Sequence, residues 1–272
     1  MKRVNFLKPV FFLFAVLSFM IGCNQEEDLI VPSDDMPVKY VLPQGNERYD
    51  SVILDFYNKN EIFILYEYGP HDPTWNITEV EGFGTYRIVP PKKECLDVAI
   101  DCVFDLWLNL YPSEFFQGRL PHYIYLADTI WTYSLQGSLT TGISLTFGNI
   151  NETLRVPSVR ETFKNNVNSA FWTYLIESGK FEVPSALNLD YSSVSYVTAK
   201  ELGIIHSSTY NLNLQKDFQE TLKYLFTNPQ TTIDRQYRYY PACKTRVGLF
   251  VSEMKRLYDI DLELLTGKKL LE

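Results

Sequence analysis

Three histidines, His71, His122 and His206, are the only imidazoles in the chain, and their spacing decides much of the chemistry it could perform. A zinc hydrolase usually needs at least two histidine ligands, and its helical signature sets them at i and i+4 with a glutamate between them as general base. No two of these histidines are close enough in sequence to share a helix face. Each alone reads as a surface or hydrogen-bonded side chain. The chain also lacks a G-x-S-x-G nucleophile elbow, a P-loop, a G-x-G-x-x-G turn and a D-x-D-x-D-G calcium loop, and Gly82-Phe83-Gly84 lacks the third glycine of a phosphate cradle. Paired carboxylates could hydrolyse glycosides, but among 33 acidic residues proximity in sequence carries no information. The residues therefore predict no cofactor, no metal and no catalytic group. Tyr237, Tyr239 and Tyr240, beside Arg235 and Arg238, have two readings. They could form an aromatic platform that stacks a carbohydrate, or they could pack beneath the last helix.

Periodicity then indicates the elements that would carry any site. Tyr49 to Asn58 reads as a short amphipathic helix and Glu61 to Tyr68 as the clearest strand. Pro90 and Pro91 are expected to open a helix running to Pro112, with Leu96, Ile100, Val103, Trp107 and Leu110 along its buried stripe. His122 to Leu126, Ile130 to Leu135 and Ile143 to Phe147 read as strands of one small sheet. After Pro157 everything reads as helical: Val159 to Ser178 with Gly179 as its stop, Ala199 to Leu202, Leu214 to Thr227 and Ala242 to Tyr258. Strands grouped ahead of helices predict an α+β fold, a small N-terminal sheet with helices followed by a mainly helical C-terminal half, as a single domain over residues 45–272.

Composition agrees with a folded chain. Of its 272 residues, 46% are hydrophobic and 15% aromatic, which excludes a disordered or collagen-like chain, and the net charge of −8 argues against nucleic acid as a partner. Cys95, Cys102 and Cys243 fit no metal or disulfide spacing and read as buried structural thiols.

The N-terminus points to a membrane. Lys2, Arg3 and Lys8 precede an apolar run from Val10 to Ile21, too short to span a bilayer but suited to a secretory signal. It ends in Met20-Ile21-Gly22-Cys23, which resembles a bacterial lipobox, so residues 1–22 are expected to be removed and Cys23 acylated. Residues 23–44 then read as a lipid-anchored flexible tether. Its acidic start, Asn24-Gln25-Glu26-Glu27-Asp28, resembles the surface-export signals of Bacteroidetes lipoproteins, which implies an outer-membrane, cell-surface location.

From about Ser51 to Leu265 the chain resembles the zinc-binding metallopeptidase lipoproteins of Bacteroidetes, often found beside carbohydrate-uptake proteins of the starch-utilisation type. The resemblance lies in the order of features: the EIFILYEY strand, the Trp107 helix, Phe147-Gly148-Asn149, the long helix after Arg160, Gln215 to Glu220, Thr227-Asn228 and Tyr258 to Leu262. In that family the long helix carries H-E-F-A-H. Here Ser169-Ala170-Phe171-Trp172-Thr173 stands in its place, so Ser169 and Thr173 occupy the ligand positions and Ala170 that of the glutamate. The downstream stretch keeps Gln215, Asp217, Phe218 and Glu220, but Lys216 replaces an acid. Hydroxyls and a methyl cannot stand in for neutral imidazoles and a proton acceptor. The resemblance thus implies a degenerate, non-catalytic member that binds a glycan or peptide, or serves an outer-membrane uptake complex. The alternative is an active hydrolase, a divergent zinc peptidase or carboxylate-pair glycosidase, built around His122 or His206 with Asp217 and Glu220.

Overall fold

The computed structural model describes residues 39–74, 77 and 86–271. Cys23, the signal segment 1–22, most of the tether and Gly82-Phe83-Gly84 lie outside the described residues. From Leu42 onward the described chain forms one compact unit.

Helix α1 (Arg48–Asn60) begins with a capping box, in which Asp50 Oδ2 accepts from the Glu47 N–H at 2.9 Å. It ends where Glu61 turns left-handed at φ 59°. Strand β1 is only Phe63–Leu65, shorter than the expected Glu61 to Tyr68. The Gln44 side chain takes over beyond it: its Oε1 accepts from the Tyr66 and Glu67 N–H groups, and its Nε2 donates to the Glu67 carbonyl. Those backbone groups are satisfied without a neighbouring strand.

The helix predicted from Pro90 to Pro112 is also shorter. A single 3-10 turn, Lys93–Cys95, leads into α2 (Leu96–Leu106), which ends at Trp107, where φ is −140° and ψ −74°. Leaving the helical path lets the fully buried indole meet the edges of Phe147 and Phe171, at centroid distances of 5.0 and 5.2 Å. Asn168 holds the break closed. Its Nδ2 donates to the Leu106 carbonyl at 2.9 Å and to Lys164, and its Oδ1 accepts from the Tyr111 hydroxyl at 2.8 Å.

Two sheets form where one was expected, because strand β2 (Arg87–Val89) comes from a segment to which the sequence assigned no element. It pairs antiparallel with β4 (Thr129–Trp131), which pairs with β5 (Leu135–Gln136). The larger sheet has the order β1, β3 (Tyr123–Leu126), β7 (Ser144–Phe147), β6 (Ser138–Thr140). Its first three strands are parallel, and β6 runs antiparallel along the edge. Parallel neighbours require a crossover, and α2 supplies it between β1 and β3.

The C-terminal half is α3 (Pro157–Glu177), α4 (Leu214–Thr227), α5 (Gln230–Tyr239), α6 (Pro241–Tyr258) and α7 (Leu262–Thr266). Gly179 stops α3 as expected, at φ +67°. The expected helical character fails over 178–213, which holds two 3-10 turns, and Ala199 to Leu202 is turn rather than helix. Side chains there bond their own backbone: Asp190 Oδ1 accepts from the Ser192 N–H, and Ser195 and Thr198 bind one another's backbone. Gly203, at φ +84°, presses against α6 so closely that a Cβ would lie 2.6 Å from the Ala242 carbonyl. The α+β class holds, with a continuous aromatic and aliphatic core. Cys95, Cys102 and Cys243 are buried, free thiols.

Asn168→Leu would leave the Tyr111 hydroxyl and the Leu106 carbonyl unpaired in the core, at about 1–3 kcal/mol each. Urea denaturation should show a loss of about 3 kcal/mol; a loss below about 1 kcal/mol would mean that this amide does not hold the α2 break.

Candidate functional site

Edge strand β6, α3 and α4 enclose a cleft of about 240 Å³. Ser138 and Thr140 line it from β6, Ser169, Ala170 and Thr173 from α3, and Glu220 and Lys223 from α4. The side chains on α3 face it because the other face of that helix is committed to the core. Phe171 packs on Trp107, and Trp172 meets Phe218 of α4 at 5.7 Å. Gln219 Nε2 donates to Thr173 Oγ1 at 3.0 Å, so the two helices are tied across the cleft by a neutral hydrogen bond. Ser169 Oγ is buried without a partner.

A second polar cluster lies in the interior around Asp217, on the inward side of α4. Its carboxylate is fully buried and has a partner on every side. Oδ1 meets His206 Nε2 at 2.9 Å, and Oδ2 accepts from the Tyr191 hydroxyl at 2.9 Å and from Arg246 Nη2. Thr221 adds a longer contact at 3.4 Å. Burial alone would raise the carboxyl's pKa, but the bonds from His206, Arg246 and Tyr191 outweigh it and hold Asp217 below the ordinary carboxylate range. Burial first, and then the Asp217 charge, push the Tyr191 phenol well up. Arg246 also donates to the Leu187 carbonyl at 2.7 Å, so α4, α6 and the irregular 178–213 segment converge on one charge.

The residues singled out in sequence are thus divided. Ser169, Ala170, Thr173 and Glu220 share the cleft. Asp217 is instead at the buried cluster, and Lys216 reaches the Tyr210 carbonyl, so the cation at the cleft is Lys223. Of the alternative hydrolase group, His206 does meet Asp217, but in the interior rather than in solvent; His122 is exposed, and Glu220 lines the cleft. Arg246 and Tyr191 were not anticipated. The one sequence hint for Arg246 is that it falls beside Val247 and Phe250 on the buried face of α6. Tyr191 carries no periodic signal.

The cleft residues do not fit a zinc ion. The hydroxyls of Ser138, Thr140, Ser169 and Thr173, the last already accepting from Gln219, and the Ala170 methyl offer no imidazole, and Glu220 is the carboxylate at the cleft. Among the described residues no three His, Cys, Asp or Glu side chains are grouped so as to hold a metal. What the cleft can offer a ligand is hydrogen bonds from hydroxyls and one carboxylate–ammonium pair of charges.

No protein-family model matches the chain, and no curated protein does. Among solved structures, it is similar to a Bacteroides caccae protein provisionally named a zinc-binding metallo-peptidase. The TM-score is 0.52 at 18% identity, over 80% of this chain and 88% of the other. At that identity the likeness establishes the fold, which is metallopeptidase-like.

Asp217→Asn should cost about 3–5 kcal/mol in urea denaturation, because Arg246 would be left buried without its counter-charge. A carboxyl whose folded pKa is lowered stabilises fully above its unfolded value of about 3.9, and that contribution is lost as pH falls through the folded value. The difference between wild type and variant should therefore shrink as the pH drops below about 4; a difference that persists into strong acid would show that Asp217 is not an ionised hub.

Proposed function

We propose that the chain is a lipid-anchored protein with a metallopeptidase-like fold whose zinc site has been lost, acting as a non-catalytic binding or accessory component of a polysaccharide or nutrient uptake system. The observation that carries this reading is the cleft face of α3. The positions that hold H-E-F-A-H in the family the sequence resembles present Ser169, Ala170 and Thr173, and Thr173 is hydrogen-bonded to Gln219. Zinc would activate a water for attack on a peptide carbonyl, with a carboxylate taking the proton. Ala170 can accept no proton, and neither hydroxyl replaces a neutral imidazole ligand.

Structural economy supports the same view. The α3–α4 contact runs through Trp172, Phe218 and the Gln219–Thr173 bond, so it persists without a metal. Acylation of Cys23 would hold the protein at the outer membrane, and the acidic residues that follow suit exposure on the cell surface.

The mature chain, expressed from Asn24 without a histidine tag and briefly exposed to zinc, should carry almost no zinc by elemental mass spectrometry and should not cleave casein. About one zinc ion per chain, the content of a mononuclear site, would overturn the lost-site reading.

A further inference from the structure

A second cavity, of about 590 Å³, lies between the irregular 196–209 stretch, α4, α5 and the α5–α6 junction. It is more than twice the volume of the cleft and shares no lining residue with it. Its size falls within the roughly 300–1,000 Å³ of small-ligand sites. Three tyrosines wall it: Tyr224, half-buried, and Tyr196 and Tyr240, 78% and 41% exposed.

His206 lines this cavity with only 3% of its surface exposed. Its Nε2 faces Asp217, and an ionised carboxylate can only accept, so Nε2 carries the hydrogen. That leaves Nδ1, on the opposite edge of the ring, as the acceptor of the neutral imidazole, and it is buried with no partner. Gln236, also on the wall, hydrogen-bonds Tyr224 through its amide while its Oε1 is buried and unpartnered.

The charges narrow the ligand further. Lys200 is the lysine of the lining, and its ammonium is spent on the Ile205 and His206 carbonyls. No lining arginine, aspartate or glutamate is present to match an ammonium, carboxylate or phosphate. The complement of this wall is neutral, rich in hydroxyl donors, and has an apolar face for the tyrosine rings.

We propose that this cavity binds a pyranose unit of a short neutral saccharide, with its C–H face against Tyr196 and Tyr240 and its hydroxyls turned to the wall that His206 and Gln236 form. The site goes beyond the proposed function and stands whatever the zinc content of the cleft.

The test uses the mature chain carrying ¹⁵N-labelled histidine and a mixture of the methyl pyranosides of glucose, galactose, mannose and xylose. Saturation-transfer NMR should detect binding of at least one of them. The long-range ¹⁵N spectrum should then move the His206 Nδ1 resonance, leaving those of His71 and His122 in place. Tyr196→Ala combined with Tyr240→Ala should weaken binding at least about tenfold, or about 1.4 kcal/mol, with the melting profile unchanged because both rings are exposed. His206 is kept intact, since removing it would disturb Asp217. The proposal is overturned by no transfer to any of the sugars, by transfer with Nδ1 unmoved, or by undiminished binding in the double variant.

Discussion

Helices α4 and α6 and the irregular 178–213 segment converge on one carboxylate that must stay charged in a dry interior. Removing an ion from water costs several kcal/mol, which Asp217 recovers only if every lone pair is met in good geometry. His206, Tyr191 and Arg246 meet them, and each arrives from a different part of the chain. Two come from the 178–213 segment, which has no regular ladder of its own. The charge therefore organises backbone that secondary structure does not, and it fixes which edge of the His206 ring is turned away.

The opposite side of the helical half is organised by rings. Phe218 stacks between Phe181 and Phe250 at 5.3 and 5.5 Å and meets Trp172 from α3. Trp107 and Phe171 extend the same cluster toward the sheet. Asn168 enters it with its amide paired to Tyr111 and the Leu106 carbonyl. The cleft between α3 and α4 can then keep its shape through dispersion and burial, with Gln219 and Thr173 supplying a polar tie.

How much of this the sequence disclosed depended on the range of the interaction. Helix α4 was legible to the residue, because Asn213 caps it and Pro229 follows it. The resemblance grouped Ser169, Ala170, Thr173, Lys216, Asp217 and Glu220; the fold brings four of them to one cleft, while Asp217 turns inward and Lys216 reaches the Tyr210 carbonyl. The break at Trp107 was not legible, since its cause, Phe147 and Phe171, lies 40 or more positions away. Helix α5 was missed because its tyrosines and arginines were weighed as a platform or as rings beneath the last helix and not as an element of their own; Tyr237 turns inward, while Tyr240 reaches a cavity wall. The Asp217 partners lie 11, 26 and 29 residues distant, beyond any window in which periodicity operates.

The three buried cysteines determine how the folded chain meets an oxidant. Burial raises the pKa of Cys95, Cys102 and Cys243, so little of any of them exists as thiolate, the form that attacks disulfides and peroxides. Each also lies beneath packed side chains that an incoming sulfur would have to displace. Sulfur exchange then has to wait for local opening, and its rate becomes a measure of how often that opening occurs.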